Sequence, residues 1–177
     1  MARNTLSRAL HDLGLSAWFG GTLANAVALN AAAADAGGDA GRVANTGWNR
    51  WTPVNALAIG AHLVGSVGQL IGNRGRVAQQ EGVAGMSAVK TLLTAAALGV
   101  TAYSRSLGQI VNSQDNPSAK SGTKPTKRTK AEIAHAQQQL DSLQWVIPAL
   151  TGALVAVSSY AGEQQRPGEV AKGVARR

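Results

Sequence analysis

The stretch WTPVNALAIGAHLVGSVGQLIGN, residues 51–73, contains no Asp, Glu, Lys or Arg side chain. Two further charge-free stretches of similar length lie at 13–34 and 142–162. A helix that crosses a bilayer needs about 20 largely apolar residues, whereas an amphipathic surface helix carries a charge every few positions. The three stretches therefore predict transmembrane helices.

A fourth charge-free stretch, 91–104, is too short to cross a bilayer by itself. Extending it back to residue 84 admits Lys90, whose amino group can reach the interface if the lysine lies near a helix end. We therefore predict a fourth span at 84–104. The predicted fold class is all-α: a four-helix transmembrane bundle with short connections and one long basic loop, forming a single membrane domain over 1–177.

The composition agrees with this prediction. Charged residues make up 15% of the chain, against about 25% in a soluble domain. Glycine occurs 21 times and phenylalanine once, and small residues let helices approach closely in lipid. The absence of cysteine excludes disulfides, thiolate metal sites and thiol catalysis.

Small residues four positions apart recur in the predicted spans and favour close helix packing. The predicted packing residues are Gly20, Gly21, Ala61, Gly65, Gly68, Gly72, Ala95, Gly99, Gly152 and Ala156. Most of the Trp and Tyr residues fall near span ends, where aromatic belts lie: Trp48, Trp51, Tyr103, Trp145 and Tyr160.

The connections differ in character. Residues 35–50 are glycine-rich and predict a loop, with Thr52 as the N-cap of a helix whose first turn holds Pro53. Residues 105–130 predict a flexible basic loop, because Lys and Arg side chains crowd 120–130. A polar helix at 131–141 should lead into the last span, which Pro148 should kink, and 163–177 should be a disordered basic tail.

Lys and Arg counts hardly decide the orientation. With both termini inside, nine lie inside (Arg3, Arg8, Arg74, Arg76, Lys90, Arg166, Lys172, Arg176, Arg177) and eight outside (Arg42, Arg50, Arg105, Lys120, Lys124, Lys127, Arg128, Lys130). The first span has arginines before it and aspartates after it, which favours a multi-pass cell-membrane protein with both termini in the cytoplasm. The basic long loop argues for the opposite orientation.

The histidines are the only candidates for cofactor binding. His62 lies in mid-span, where a polar ring is costly; it is either a haem or metal ligand, a proton relay, or a hydrogen-bonded packing residue, and we favour the last. His11, beside Asp12, is expected at the interface, so a haem held by both histidines requires a deeply set first helix. His135 is expected to be exposed, and we predict no cofactor.

The polar residues predicted within spans are Asn25, Asn55, Gln69 and Lys90. They line either a polar cavity or, as we favour, hydrogen-bonded contacts between helices. Because no phosphate-binding loop or nucleophile–base set is recognisable, the sequence predicts no enzyme. The stretch 120–130 lacks an aromatic residue for base stacking, so we expect no nucleic acid partner, but rather the lipid bilayer and other membrane subunits or a second copy.

Two other interpretations compete with a membrane bundle. A mean hydropathy of −0.04 favours a soluble, alanine-rich helical bundle. Arg3 and Arg8 before an apolar run, with small residues at 29–33, are also typical of a cleaved signal peptide. We prefer the uncleaved membrane protein, because three long charge-free stretches recur and the first is longer than a signal-peptide core.

The segment from His11 through Trp18-Phe19-Gly20-Gly21 resembles the first helix of small four-helix membrane modules related to copper-resistance CopD proteins. The resemblance is confined to this short segment. It implies a four-helix membrane module in which His11 is the residue carried over. Two methionines and no cysteine depart from what copper handling requires. The Ala, Gly, Arg and Val usage is typical of a GC-rich bacterium.

These features together predict a non-catalytic integral membrane accessory or scaffold subunit of a larger membrane complex. One alternative is a haem- or metal-binding redox module that uses His62 and His11. Another is a small transporter whose path is lined by polar residues within the spans, although transport sites usually lie on broken helices.

Overall fold

The computed structural model describes residues 4–176, and within that range nearly the whole chain is helical. Helix α1 (Thr5–Ala24), a π-helical turn (Asn25–Leu29) and α2 (Asn30–Asp35) form one continuous segment. A 3-10 turn follows at Gly37–Asp39, and then come α3 (Ala40–Gln79), α4 (Val83–Val111), α5 (Ala131–Glu163) and α6 (Pro167–Ala175). The described residues contain no strand, only an isolated bridge between Ala119 and Pro125.

The long helices pack as two antiparallel pairs. α1 lies along α3, α4 lies along α5, and the pairs join where α1 contacts α5. Asn4, just before α1, lies beside Gly72, while Gly21 near the other end of α1 faces Trp51, so α1 and α3 run in opposite directions. α3 and α4 touch very little, which leaves an open seam between the two pairs.

Three helices are long and apolar enough to cross a membrane: the segment Gly37–Gln79, which contains α3, and the helices α4 and α5. The span predicted at 84–104 thus falls on a qualifying helix. The segment predicted at 13–34 is helical but is not among the three. Its two asparagines, Asn25 and Asn30, and its glycines lower its apolar character below that of the other helices.

The loop predicted at 35–50 is wrong, because α3 already begins at Ala40. Pro53 therefore lies inside the helix, and Thr52 is not an N-cap: its hydroxyl donates to the Trp48 carbonyl one turn earlier, at 2.9 Å. Glycine is a poor helix former, and we attribute the longer helix to tertiary contacts that outweigh this propensity. A Cβ at Gly41 would lie 2.2 Å from the Pro117 carbonyl oxygen, so the helix is packed closely there.

The other connections are shorter than the sequence suggested. α3 and α4 are joined by residues 80–82 alone, and Gly82 has a φ of 79°, a left-handed conformation that glycine adopts readily. α4 continues to Val111, so the long loop begins at residue 112 rather than 105. α5 starts at Ala131 as predicted and continues through Pro148.

The C-terminal segment is helical where a disordered tail was expected. α6 has Pro167 in its first turn, a position that proline favours. The Glu81 amide donates to the Gly173 carbonyl at 3.0 Å, which ties α6 to the α3–α4 connection. Two residues of the orientation count, Arg3 and Arg177, lie outside the described residues.

Polar side chains share an otherwise apolar core, and large apolar side chains also cover much of the outside. Polar side chains such as His11, His62, Gln137 and Thr151 are almost fully buried. Large apolar side chains are exposed along the outer faces of the helices. They are Leu6, Leu13, Val27, Val54, Leu57, Val64, Val67, Leu70, Ile71, Val89, Leu92, Tyr103, Trp145, Val146, Tyr160 and Val174.

Candidate functional site

Two histidines and a tryptophan form the polar centre of the bundle. His11 is 1% exposed, and His62 and Trp18 are fully buried. The two imidazole centroids lie 4.6 Å apart, and the Trp18 ring lies 6.1 Å from His62. His11 Nδ1 lies 2.7 Å from an Asp12 carboxylate oxygen, while its Nε2 is buried without a hydrogen-bond partner in the described part of the chain.

Glycines bring the two histidine-bearing helices into contact. A Cβ at Gly14 would lie 2.4 Å from the Ala58 carbonyl oxygen, and one at Gly65 would lie 2.2 Å from the His11 amide nitrogen. Both obstacles are backbone atoms, which cannot rotate away. The close approach of α1 and α3 therefore depends on these two glycines, and it is what places His11 against His62.

The expectation that His11 and His62 lie at different depths is wrong, because the two rings are in contact, and His11 is buried rather than solvated. α1 begins at Thr5, so His11 is already in its second turn. The antiparallel pairing then sets it opposite residues 62–65 of α3. His135 is exposed on α5, as predicted.

The paired histidines do not fit a haem held between them. Two axial ligands must approach the iron from opposite faces of the porphyrin, but these rings lie against each other at 4.6 Å with an interplanar angle of 47°. His62 Nδ1 lies 3.4 Å from the His11 carbonyl oxygen, and its Nε2 lies 3.5 Å from the Thr94 hydroxyl. The pair acts in this geometry as an interhelical contact.

The long basic loop is docked on the end of the bundle. Thr123, which is buried, donates to the Asp141 carboxylate at 2.6 Å. Gln144 donates to the same carboxylate at 3.1 Å and accepts from the Asn30 amide at 2.5 Å. Trp48 donates to the other side of Asn30 at 3.3 Å. This network joins α2, α3, α5 and the loop.

The docked loop presents an unpaired positive charge. The side chains of Lys120, Lys124, Lys127, Arg128 and Lys130 are exposed. Within residues 4–176, the salt bridges involve His11, Arg42, Arg166 and Lys172 and none of these loop side chains. The cluster was predictable from the sequence but its docking was not, because the anchoring contacts join residues far apart in the chain.

A cleft of about 360 Å³, here called the Arg105 cleft, occupies the seam between α3 and α4 near this loop. Ile59, Leu98 and Ile147 line its apolar part, and Arg105 is the one charged side chain among its lining residues. The volume falls within the range of about 300–1,000 Å³ typical of small-molecule sites. The sequence gives no sign of this cleft, since it arises from the divergence of two helices.

Polar side chains are also among the lining of the Arg105 cleft. Trp51 Nε1, Thr101 Oγ1 and Ser104 Oγ are buried donors without a hydrogen-bond partner among the described residues, and Asn55 Oδ1 is an acceptor in the same situation. Arg105 donates to the Asn49 amide oxygen at 3.4 Å. The lining of the cleft therefore combines buried polar atoms without partners and one positive charge.

The four polar residues predicted within the spans do not share one cavity. Asn55 lines the Arg105 cleft. Lys90 and Gln69 line a second cavity in the same seam, of about 410 Å³, towards the other end of the bundle. Asn25 lies in the π-helical turn, and its amide nitrogen is buried without a partner within residues 4–176.

The predicted packing residues fall into two groups. Gly21, Gly65, Gly68 and Gly72 lie at the contact of α1 with α3, and Gly152 contacts Phe19 across α1 and α5, where a Cβ would lie 3.2 Å from the ring. The others are less enclosed: Gly20, Ala95, Gly99 and Ala156 are exposed, and Ala61 is half-buried.

Within the described residues, no group of three or more His, Cys, Asp or Glu side chains is placed to hold a metal ion. Comparison with known proteins adds no assignment: no family model matches the chain, and no curated protein or solved structure is significantly similar to it.

Proposed function

We propose that this chain is a non-catalytic integral membrane protein that serves as an accessory or scaffold subunit of a larger membrane complex. In this proposal the α1–α2 segment, α3, α4 and α5 all cross the bilayer as a four-helix bundle. Packing between helices carries the function, and the docked basic loop lies outside the hydrocarbon.

The observation that carries this proposal is the exposure of large apolar side chains along the outer faces of the helices. Val64, in the middle of α3, is 63% exposed, and Leu92 on α4 is 70% exposed, while His62 is fully buried. In water such outer faces would be an extended apolar patch, but in hydrocarbon they cost nothing. Both exposed residues belong to charge-free stretches, 51–73 and 91–104.

The outer face of α4 supports a subunit role. Ala88, Ala95, Gly99 and Ser106 are all exposed and recur at intervals that place them on one side of the helix. A Cβ at Gly99 would meet nothing within 4 Å. Small residues on a lipid-facing surface let a helix of another protein approach closely, so this face suits a partner helix.

The experiment compares extraction and co-purification. A membrane protein stays with the membrane at high pH and needs detergent for release, and release without detergent would refute the membrane placement. After mild detergent extraction, we expect a stoichiometric larger complex. A chain that purifies alone, with no partner subunit, would refute the subunit role.

A matched pair of variants localises the partner. Gly99→Leu adds bulk to the α4 face, and Gly60→Leu adds the same bulk to α3, where a Cβ also meets nothing within 4 Å. We expect Gly99→Leu to lose the co-purifying partner and Gly60→Leu to keep it. Equal behaviour of the two variants would remove the α4 face from the proposal.

A redox module is the second candidate. The His11–His62 pair does not fit a haem held between its rings, so the candidate rests on His11 Nε2 as a single ligand, a buried nitrogen without a partner in the described range. The optical spectrum of the purified protein tests this candidate, since haem absorbs intensely in the violet. Its detection would replace the scaffold proposal, and the copper-resistance-like segment around His11 would gain weight.

A further inference from the structure

We propose that the Arg105 cleft binds the phosphate headgroup and one acyl chain of an anionic phospholipid, entered sideways from the bilayer. This inference rests on the membrane placement proposed above, but not on the subunit role. It adds a specific ligand class to a chain whose function is otherwise packing.

The cleft lies at the level where headgroups meet hydrocarbon. The charge-free stretches of α3 and α4 end at Trp51 and Ser104, and both residues line the cleft. Trp48 and Trp51 share the lining with Arg105, as expected of aromatic residues at an interface. One part of the cleft therefore faces headgroups and the other faces acyl chains.

The two parts differ in chemistry as an amphipathic ligand requires. Ile59, Leu98 and Ile147 supply an apolar wall on the side of the hydrocarbon. The lining also includes Trp51, Thr101 and Ser104, each with a buried donor that has no partner within residues 4–176. A buried donor without a partner is costly where no water can reach it. These three atoms are closed off from the surface of the cleft, so the exposed Arg105 guanidinium is the group that meets the phosphate.

Charge complementarity decides in favour of an anionic lipid. Arg105 is the charged residue of the lining, and within residues 4–176 it forms no salt bridge. The guanidinium group is suited to bidentate contacts with phosphate. Exposed Lys120 and Lys124 belong to the loop whose Gly122 and Thr123 also line the cleft. Basic pockets between transmembrane helices are known to bind anionic headgroups.

Lateral entry is open because α3 and α4 barely touch. A lipid in the seam would contact both helix pairs and fill the space that neither pair fills alone. A zwitterionic lipid can offer the same acyl chain, but its positive headgroup would lie near Arg105. The structure therefore predicts that headgroup charge decides which lipid binds, while the acyl chain contributes affinity common to all lipids.

The test measures fluorescence quenching in mixed micelles by lipids with brominated acyl chains. Phosphatidylglycerol and phosphatidylcholine are compared with the full chain, because Trp48 and Trp51 in the cleft report a bound bromine. We expect phosphatidylglycerol to bind about tenfold more tightly, the factor that one charged hydrogen-bond contact typically contributes. Equal quenching by the two lipids in the parent protein would overturn the proposal, while leaving the membrane placement intact.

Variants assign the preference to the cleft. Arg105→Gln should abolish the preference, Arg105→Lys should retain part of it, and Arg74→Gln, at the opposite end of the charge-free stretch of α3, should retain all of it. A loss of the same size in Arg74→Gln would show general attraction by positive charge and refute the site. Glycerol phosphate, the headgroup without chains, should not compete; if it displaces the lipid, the site binds free phosphate instead.

Discussion

Replacing Gly65 by alanine tests whether close backbone contact between α1 and α3 holds the bundle together. The added Cβ would lie 2.2 Å from the His11 amide nitrogen and 2.5 Å from the Ser7 carbonyl oxygen. Ordinary carbon contacts lie at about 3.5–4 Å, so the helices would have to separate. That separation loosens the packing around His62 and Trp18.

The expected magnitude follows from two opposing effects. Overpacking of a tight contact costs about 1–3 kcal/mol, and replacing glycine by alanine inside a helix gains about 1 kcal/mol. Because both obstacles at Gly65 are backbone atoms, we expect the upper part of the overpacking range. The difference between the two effects is a modest net loss of stability, which is still large enough to measure.

Two sister variants make the comparison quantitative. At Gly68 the nearest atom is the Ser7 hydroxyl oxygen, at 2.2 Å, which can rotate away, but Ser7 Cβ at 2.9 Å cannot. Gly68→Ala should therefore lose less stability than Gly65→Ala. At Gly60 nothing lies within 4 Å, so Gly60→Ala should keep only the helix-propensity gain. Unfolding in mixed micelles of increasing denaturing-detergent content, followed by near-ultraviolet circular dichroism, measures all three. Equal stability of Gly65→Ala and Gly60→Ala would refute the contact.

Three further predictions address the membrane face, the loop and the C-terminal helix. Val64→Arg should disfavour membrane insertion of α3 by about 3 kcal/mol in a glycosylation-mapping assay, whereas Val174→Arg on α6 should have no effect; equal effects would contradict the assigned lipid face. Gly122→Ala should undock the basic loop, because the new Cβ would lie 2.3 Å from the side-chain amide oxygen of Asn30 in α2. Trypsin should then cleave the loop at 120–130 faster than it does in the control Gly38→Ala, whose Cβ meets nothing within 4 Å. The hydrogen bond and charge of Lys172 lower the pKa of Glu169. This contact therefore stabilises α6 above pH 4.5 and is lost as the pH falls through the lowered value. Protection factors of the α6 amides, corrected for the intrinsic pH dependence of exchange, should fall over that range, and unchanged protection would contradict this.

The helical class and most of the apolar segments could be predicted from the sequence, because a run without charges is a local property. The ends of the helices were placed less well. α3 starts at Ala40, well before Trp51, since contacts such as that of Gly41 with Pro117 stabilise a glycine-rich stretch that has little helix propensity of its own. Such contacts join distant parts of the chain and leave no local signal.

The candidate sites show the same difference between local signals, which the sequence contains, and long-range contacts, which it does not reveal. The cost of a histidine in mid-span drew attention to His62 from the sequence, but its partner was expected at another depth. The register of α1 against α3 decided that point, and it follows from the fit of Gly14 and Gly65 against the opposing backbone. The Arg105 cleft could not be predicted at all, because it forms where α3 and α4 fail to contact each other.

The pairing of α1 with α3 and of α4 with α5 has a consequence for how the protein is made. Each pair is a helical hairpin that is complete in chain order, so the first can form before the second has left the ribosome. Residues 80–82 then connect two helical hairpins that form independently. If the two hairpins are synthesised as separate polypeptides divided at residues 80–82, they should still associate in a bilayer through the contact of α1 with α5.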